Sequence, residues 1–361
     1  MQVRHLSLKN WRNIQEVSFD PGPGLNVICG ENGQGKTNLL EAVWMLTGAK
    51  SFRPVKDAQL IRAGEEFSLL DAEIQSDMGQ DHILLTVGGP NTPRPGRTAR
   101  LNGGDVGRAS ALAGRFGAVV FQPDDLSLVK GSPEGRRRFL DAALCQLYPG
   151  YLATLRRYTR LVTQKNSLLK HWNRTPGAEL MCDAFDMDLA AQGEEIVRRR
   201  REYLDLLGPM AAQNYAEISS EREDLSVRYL GNFQPGELSE RIRAARKDDR
   251  FIGCCTVGPH REDMELLLKG LSARQFASQG QQRSAVLSLK LAEAGAAAAI
   301  TGQQPVMLLD DVLSELDEGR QDYLLTRMEK GQTIVTACDP GLFEKTSGRV
   351  FRMQAGRLTA L

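Results

Sequence analysis

Gly30-Glu31-Asn32-Gly33-Gln34-Gly35-Lys36-Thr37 follows the short apolar run Leu25-Asn26-Val27-Ile28-Cys29 and precedes the helix-forming run Asn38-Leu39-Leu40-Glu41-Ala42-Val43-Trp44-Met45-Leu46. Strand, glycine-rich loop and helix in that order make a phosphate-binding loop. Three glycines let the backbone curl with its N–H groups pointing inward, and the helix adds its positive N-terminal end. Lys36 then reaches the β- and γ-phosphates of a nucleotide, and the Thr37 hydroxyl is placed for Mg²⁺. The competing reading, a turn that merely joins strand to helix, does not explain why all three parts agree. The expected nucleotide contacts run from Gly30 to Asn38.

At 361 residues the chain exceeds the ~250 to 300 at which a single core stops growing, so two lobes are expected. Lys plus Arg number 46 against 45 Asp plus Glu, so a net charge of +1 excludes a whole-chain pull toward polyanions or membranes. Any such signal must be local. The cysteines Cys29, Cys145, Cys182, Cys254, Cys255 and Cys338 show no C-x-x-C spacing and no histidine at metal spacing, which points to reduced thiols in a cytosolic protein without zinc. Met1 to Lys9 alternates like a strand, and no apolar run approaches ~18 residues, so neither a signal peptide nor a membrane span is expected.

Working outward from the loop, Val3 to Leu8, Phe67 to Ile74, His82 to Val87 and Ala118 to Phe121 read as strands, and Gly88 to Arg97 as an exposed hairpin loop. From Pro133 to about Arg250 the pattern turns helical. Tyr151, Leu155, Tyr158, Val162, Leu169 and Trp172 form an apolar seam for an antiparallel helix pair, broken by Lys165. After Ile252 the sheet texture returns, with Met264 to Leu268, an Ala-rich helix from about Gln282, Val306 to Leu309, and Thr333 to Thr336. The expected architecture is α/β: a discontinuous nucleotide-binding lobe, 1–122 and 251–361, carrying an inserted helical, partly basic lobe, 123–250.

Val306-Met307-Leu308-Leu309-Asp310-Asp311 reads as a buried parallel strand ending in two carboxylates. Beside a phosphate loop, Asp310 is placed to hold the metal and Asp311 to orient or deprotonate the attacking water. Alone, the pair also reads as a loop start or a helix cap. Ser278-Gln279-Gly280-Gln281-Gln282-Arg283 opens the Ala-rich helix and offers a hydroxyl, a glycine N–H and a helix N-terminus. It reads either as an ordinary N-cap or as a second anion site that caps the γ-phosphate held by another copy in a dimer.

Phosphate loop, Ser278 to Arg283, Leu308 to Asp311 and Ser314-Glu315-Leu316-Asp317 together resemble the loop, signature, magnesium strand and D-loop of an ABC-type P-loop ATPase head. Asn10-Trp11-Arg12-Asn13, Pro123-Asp124-Asp125-Leu126, Lys130-Gly131-Ser132-Pro133, Arg136 to Asp141, Gly258-Pro259-His260-Arg261-Glu262-Asp263 and Phe276 to Arg283 resemble, more closely, the RecF family of bacterial recombination mediators. That resemblance implies an ATP- and Mg²⁺-dependent homodimer in the bacterial cytoplasm. It would bind double-stranded DNA at single-strand/duplex junctions in gap repair and replication restart, work with RecR and RecO, and help to load RecA. It places Arg12 and Asn13 on the adenine side, and Ser278, Gly280 and Gln281 at the partner's nucleotide. The usual catalytic glutamate is Asp311 here, and Thr336-Ala337-Cys338 stands where a switch histidine would follow, so slow hydrolysis is expected. Gln122 reads either as a Q-loop amide bridging metal and water or as a turn residue before Pro123.

Between Lys130 and Arg174 ten Lys or Arg face two acids, a local +8 hidden by the neutral whole. Arg136, Arg137, Arg138, Arg156, Arg157 and Arg160 are therefore the expected DNA-phosphate contacts, without base reading. The alternative is a basic helix face paired with Asp183, Asp186 and Asp188, and for Arg198 to Arg201, flanked by Glu194, Glu195 and Glu202, pairing is preferred. A transporter ATPase subunit is the main rival in function, but the ~120-residue insertion is long for a connection within one lobe. A chromosome-organising SMC protein would need long heptad arrays that this chain lacks. A nuclease would need a further carboxylate or histidine cluster.

Overall fold

A computed structural model describes residues 1–220, 222–328, 331–343 and 347–361. It divides into two compact units, Met1–Leu126 with Val286–Leu361, and Ser127–Ala285.

In the first unit the phosphate loop hangs from Leu25–Cys29, whose last four residues are buried on both faces, as continuous apolar strands of parallel sheets are. That strand lies in a six-stranded sheet ordered Arg357–Ala360, Arg349–Gln354, Leu25–Cys29, Thr333–Ala337, Val306–Asp310, Ala118–Phe121, parallel except for its first member. A second, antiparallel sheet runs Ile14–Phe19, Gln2–Trp11, Phe67–Ser76, Gly79–Gly88, Gly96–Leu101, Gly104–Arg108. Between them sits helix Lys36–Met45. Its Leu39, Leu40 and Val43 share one core with Leu6 and Leu8 of the antiparallel sheet and Ile28, Leu308 and Ile334 of the parallel one. The loop is thus anchored at both ends in largely buried elements.

The second unit packs helices Pro133–Leu147, Tyr151–Lys170, Ala178–Ser219 and Leu238–Ile252 with a three-stranded antiparallel sheet. Here the expected boundary at 250 moves. Residues 251–285 belong to this unit because Asp263–Leu268 pairs with Leu225–Leu230, Met264 opposite Tyr229 and Leu266 opposite Val227, a strand absent from the sequence reading. Alternation tells which face of a strand is buried, but not which strand it will join. The division between the units falls within helix Gln279–Thr301, which starts earlier than expected. By length and composition this helix is apolar enough to cross a membrane, which no contiguous apolar run had suggested, but most of it is buried.

Lys165, the break in the apolar seam, is fully buried; its ammonium lies 2.7 Å from Asp186 and 3.4 Å from Asp249. Gly258-Pro259-His260-Arg261-Glu262-Asp263, which carried no role in the sequence, knots the unit together. A Cβ on Gly258 would stand 2.3 Å from the Tyr158 hydroxyl, so only glycine admits that ring. Pro259 O accepts Arg200 Nη1 at 2.8 Å, Glu262 O accepts Arg137 Nη1 at 2.7 Å, and Asp263 is forked by Arg136 at 2.7 and 2.8 Å. His260 Nδ1 meets the Tyr158 hydroxyl at 2.7 Å and Nε2 faces Cys255 O at 3.2 Å, which requires a proton on Nε2; in the neutral ring Nδ1 then accepts from Tyr158.

Burial, with Arg261 and Arg137 nearby, pushes His260 down to about 4, against a hydrogen bond to Cys255 that favours the charged form. The unfolded chain, with an ordinary histidine near ~6.5, then binds the extra proton between about pH 6.5 and 4, so acidification through that window costs up to roughly 3 kcal/mol. Denaturant titrations of the parent should show that loss, and His260→Gln should flatten it. An unchanged slope in the variant would place the acid sensitivity elsewhere.

Candidate nucleotide-binding site

Leu25–Cys29, Thr333–Ala337, Val306–Asp310 and Ala118–Phe121 lie side by side and parallel, so their carboxyl ends share one edge of the sheet. That edge is where open α/β sheets bind ligands. It gathers the loop Gly30 to Thr37, the pair Asp310 and Asp311, and Gln122, which follows Phe121, the residue paired with Leu309.

All three loop glycines have positive φ, with Gly33 at 78 and Gly35 at 114 in the left-handed region, and two of the three also sit where a Cβ would clash. A Cβ on Gly30 would sit 2.3 Å from Met353 O, and one on Gly35 2.9 Å from Asn13 Oδ1. Asn13 Nδ2 donates to Gly33 O at 3.1 Å and its Oδ1 accepts Asn38 Nδ2 at 2.7 Å, so Asn13 and Asn38 brace the loop from one side. On the other, Gln34 accepts the N–H groups of Ala355 (Oε1, 2.6 Å) and Gly356 (O, 3.0 Å), and Asn32 Oδ1 accepts the Cys338 thiol at 3.2 Å. Lys36, 6% exposed, donates to Gly30 O and, at 3.0 Å, to Glu31 O, holding its ammonium at the mouth of the loop. The Glu31 side chain is exposed.

Arg12, placed on the adenine side by the family resemblance, is built into a charge cluster behind the loop. Its guanidinium forks both oxygens of Glu41 at 2.8 Å, and Glu41 also binds Arg53 and Ser51. Burial alone would raise the Glu41 carboxyl; hydrogen bonds from Arg12, Arg53 and Ser51 outweigh it and hold the group below the ordinary range. Arg53, which the sequence reading passed over, also reaches Asn38 Oδ1 at 2.6 Å and ties this buried charge cluster to the loop's helix.

Thr37 Oγ1 donates to Asp310 Oδ1 at 2.7 Å, joining the first turn of the helix to the acidic strand end. Asp311, one residue on, turns into the left-handed region with φ 53 and donates its N–H to Thr336 Oγ1 at 3.0 Å. Burial raises the Asp311 carboxyl, with Asp310 and Glu315 adding to the effect and Lys36 opposing it. These donors are hard oxygens, hydroxyl and carboxylate, of the kind Mg²⁺ takes. Gln122 donates its N–H to Asp125 Oδ2 at 2.9 Å, which makes it the first residue of a turn as well as a strand-end neighbour of Asp310.

Ser278, Gly280 and Gln281 lie in the second unit. Ser278 Oγ accepts Gln281 N–H at 3.3 Å while Gln281 Oε1 accepts Ser278 N–H at 2.7 Å, a capping box on an exposed serine. The N-cap reading thus holds locally, and the hydroxyl stays at the surface.

The basic arm is corrected in part. Arg136, 4% exposed and forked to Asp263, is an internal strut, and Arg137, half-buried, donates Nη1 to Glu262 O. Arg157 pairs with Asp188 at 2.8 and 2.9 Å and is still exposed. Arg138 pairs with Glu134 across one helical turn at 3.0 Å but remains exposed, as do Arg156 and Arg160. Arg198 and Arg199 pair with Glu195 and Glu202, while buried Arg200 reaches Asp141 instead.

Residues 2–358 match the model of the RecF/RecN/SMC N terminal domain family. The DNA replication and repair protein RecF of Bacillus cereus (strain AH820) is 39% identical over 348 residues, 93% of this chain and 92% of the relative. The chain belongs to the RecF family. RecF of Heliobacterium modesticaldum (strain ATCC 51547 / Ice1) is 37% identical over 99% of both chains. Among solved structures, RecF-ATPrS in the RecFOR pathway superposes with a TM-score of 0.91 at 31% identity, over 100% of this chain and 98% of that one. An Smc head bound to the C-winged helix domain of ScpA, at 16% identity and TM-score 0.58, covering 100% of this chain and 98% of that one, shares the fold. The architecture is thus that of an ABC-type ATPase head with a largely helical second unit, and the transporter alternative finds no support in these RecF relatives.

Proposed function

We propose that this chain is an ATP-dependent DNA-binding protein of recombinational repair and replication restart, a cytoplasmic switch that dimerises on ATP and is released by slow hydrolysis. The observation that carries the nucleotide half is the meeting of Lys36, Thr37 and Asp310 at one sheet edge, with Thr37 Oγ1 2.7 Å from Asp310 Oδ1. Support for the DNA half is the match to DNA replication and repair proteins named RecF over 93% and 99% of the chain.

In this reading the loop N–H groups and Lys36 bind the β- and γ-phosphates, and Asn13 and Asn38 keep the loop in shape. Thr37 and Asp310 would hold Mg²⁺, with Gln122 beside them, and the ion when bound supplies neutralisation of phosphate charge. Asp311 accepts the proton of the attacking water, its raised carboxyl making it the stronger base. Ser278, Gly280 and Gln281 close the site of a second copy. Duplex DNA at a single-strand junction is held through phosphates by the exposed Arg138, Arg156, Arg157 and Arg160. RecR, RecO and, through them, RecA are the protein partners that the RecFOR relatives suggest.

Lys36→Ala is the direct test. Losing a charge-assisted hydrogen bond worth about 1.5–3 kcal/mol should weaken a fluorescent ATP analogue by at least about tenfold, and ATP should no longer change molecular mass or duplex affinity. Parent-like ATP affinity in the variant would overturn the nucleotide assignment; nucleotide-independent DNA binding in the parent would overturn the switch.

A further inference from the structure

We propose that Thr336 is the positioning residue of this site, the group that sets Asp310 and Asp311 for their tasks; this rests on the nucleotide-binding reading above. Thr336 is 1% exposed on the strand between the loop strand and the acidic strand, in register with Asp310. Its hydroxyl donates to Asp310 Oδ1 at 3.0 Å and accepts the Asp311 N–H at 3.0 Å. A hydroxyl offers one donor and two acceptor sites, and here it uses both kinds on consecutive residues.

Two consequences follow from the geometry. Asp310 Oδ1 is bracketed by two hydroxyls, Thr336 on one side and Thr37 on the other. Its rotamer is therefore set before any ligand arrives. The Asp311 backbone, at φ 53, is in a conformation that costs a non-glycine residue energy and persists only where neighbours hold it. The Thr336 oxygen is the partner that holds this N–H. One side chain thereby fixes the orientation of the metal-binding carboxylate and the direction in which the general base leaves its strand. Of the residues after it, Ala337 offers no polar side chain and the Cys338 thiol turns to Asn32 Oδ1 of the loop, so on this strand the side-chain bonds to the aspartate pair are those of Thr336.

Thr336→Val keeps the shape and removes both bonds; Thr336→Ser keeps both and removes the methyl. The Val variant should bind a fluorescent ATP analogue without Mg²⁺ as the parent does. It should need severalfold more Mg²⁺ to reach its tight-binding form, and should turn ATP over about tenfold or more slowly, the scale of one to two hydrogen bonds. Ser should restore Mg²⁺ dependence and turnover to near parent values. Parent-like Mg²⁺ dependence and turnover in Val overturns the proposal, and so does a Ser variant as impaired as Val, which would make the methyl packing the cause. Should Val not fold, Thr336→Cys, with a weak donor of similar size, must fall between Ser and the predicted Val values. A parent that binds no ATP at all would instead refute the nucleotide reading and leave no Val-to-parent difference to measure.

Discussion

Asp311→Asn is expected to cut ATP turnover by about 10²- to 10⁴-fold, the usual contribution of a positioned general base, while ATP affinity stays within about twofold. Asn preserves shape and, like Asp, tolerates the left-handed backbone that φ 53 imposes, so the turn and its N–H bond to Thr336 survive. What disappears is the carboxylate, raised by burial and thus better matched to taking a proton. Phosphate release measures the first quantity and sedimentation with ATP the second consequence, a longer-lived dimer. Parent rates in the variant would move the base to another residue. The same backbone gives a physical reason for an aspartate where related ATPases carry glutamate: the short side chain belongs to the class most at ease there.

Arg136→Gln should destabilise the second unit by about 3–5 kcal/mol, the scale for breaking a buried ion pair by removing one partner. Arg136 forks Asp263 and also donates to Leu128 O at 3.3 Å and Gly131 O at 3.0 Å, so its removal strands a carboxylate and two carbonyls together. Chemical denaturation reads this directly, and ATP-analogue binding at moderate temperature should survive. Arg160→Gln should behave oppositely: stability within about 0.5 kcal/mol, but a duplex-binding salt slope lower by ~0.9 for the phosphate that is no longer neutralised. If Arg136→Gln instead leaves stability intact and lowers that slope, Arg136 binds DNA after all.

The glycine loop between strand and helix, the acidic strand end and the helix cap at Ser278 were legible in the sequence because each is local. Loop curvature, strand burial and helix capping are set by residues within a few positions of one another, as at Gly30, Gly35 and the capping box of Ser278 and Gln281. Membership of the RecF family followed from the same short segments. What the sequence did not contain was partnership across long separations. Arg136 looked like a free cation until folding brought Asp263 to it, and Arg12 looked exposed until Glu41 closed on it. Thr336 looked like the absence of a histidine until strand pairing set it opposite Asp310. Met264 to Leu268 announced itself as a strand, but only Leu225–Leu230 decided which sheet it joined. Local pattern reports which groups want burial or a turn; which distant charge or hydroxyl satisfies a buried group is settled only when the chain folds and every such group must find a partner.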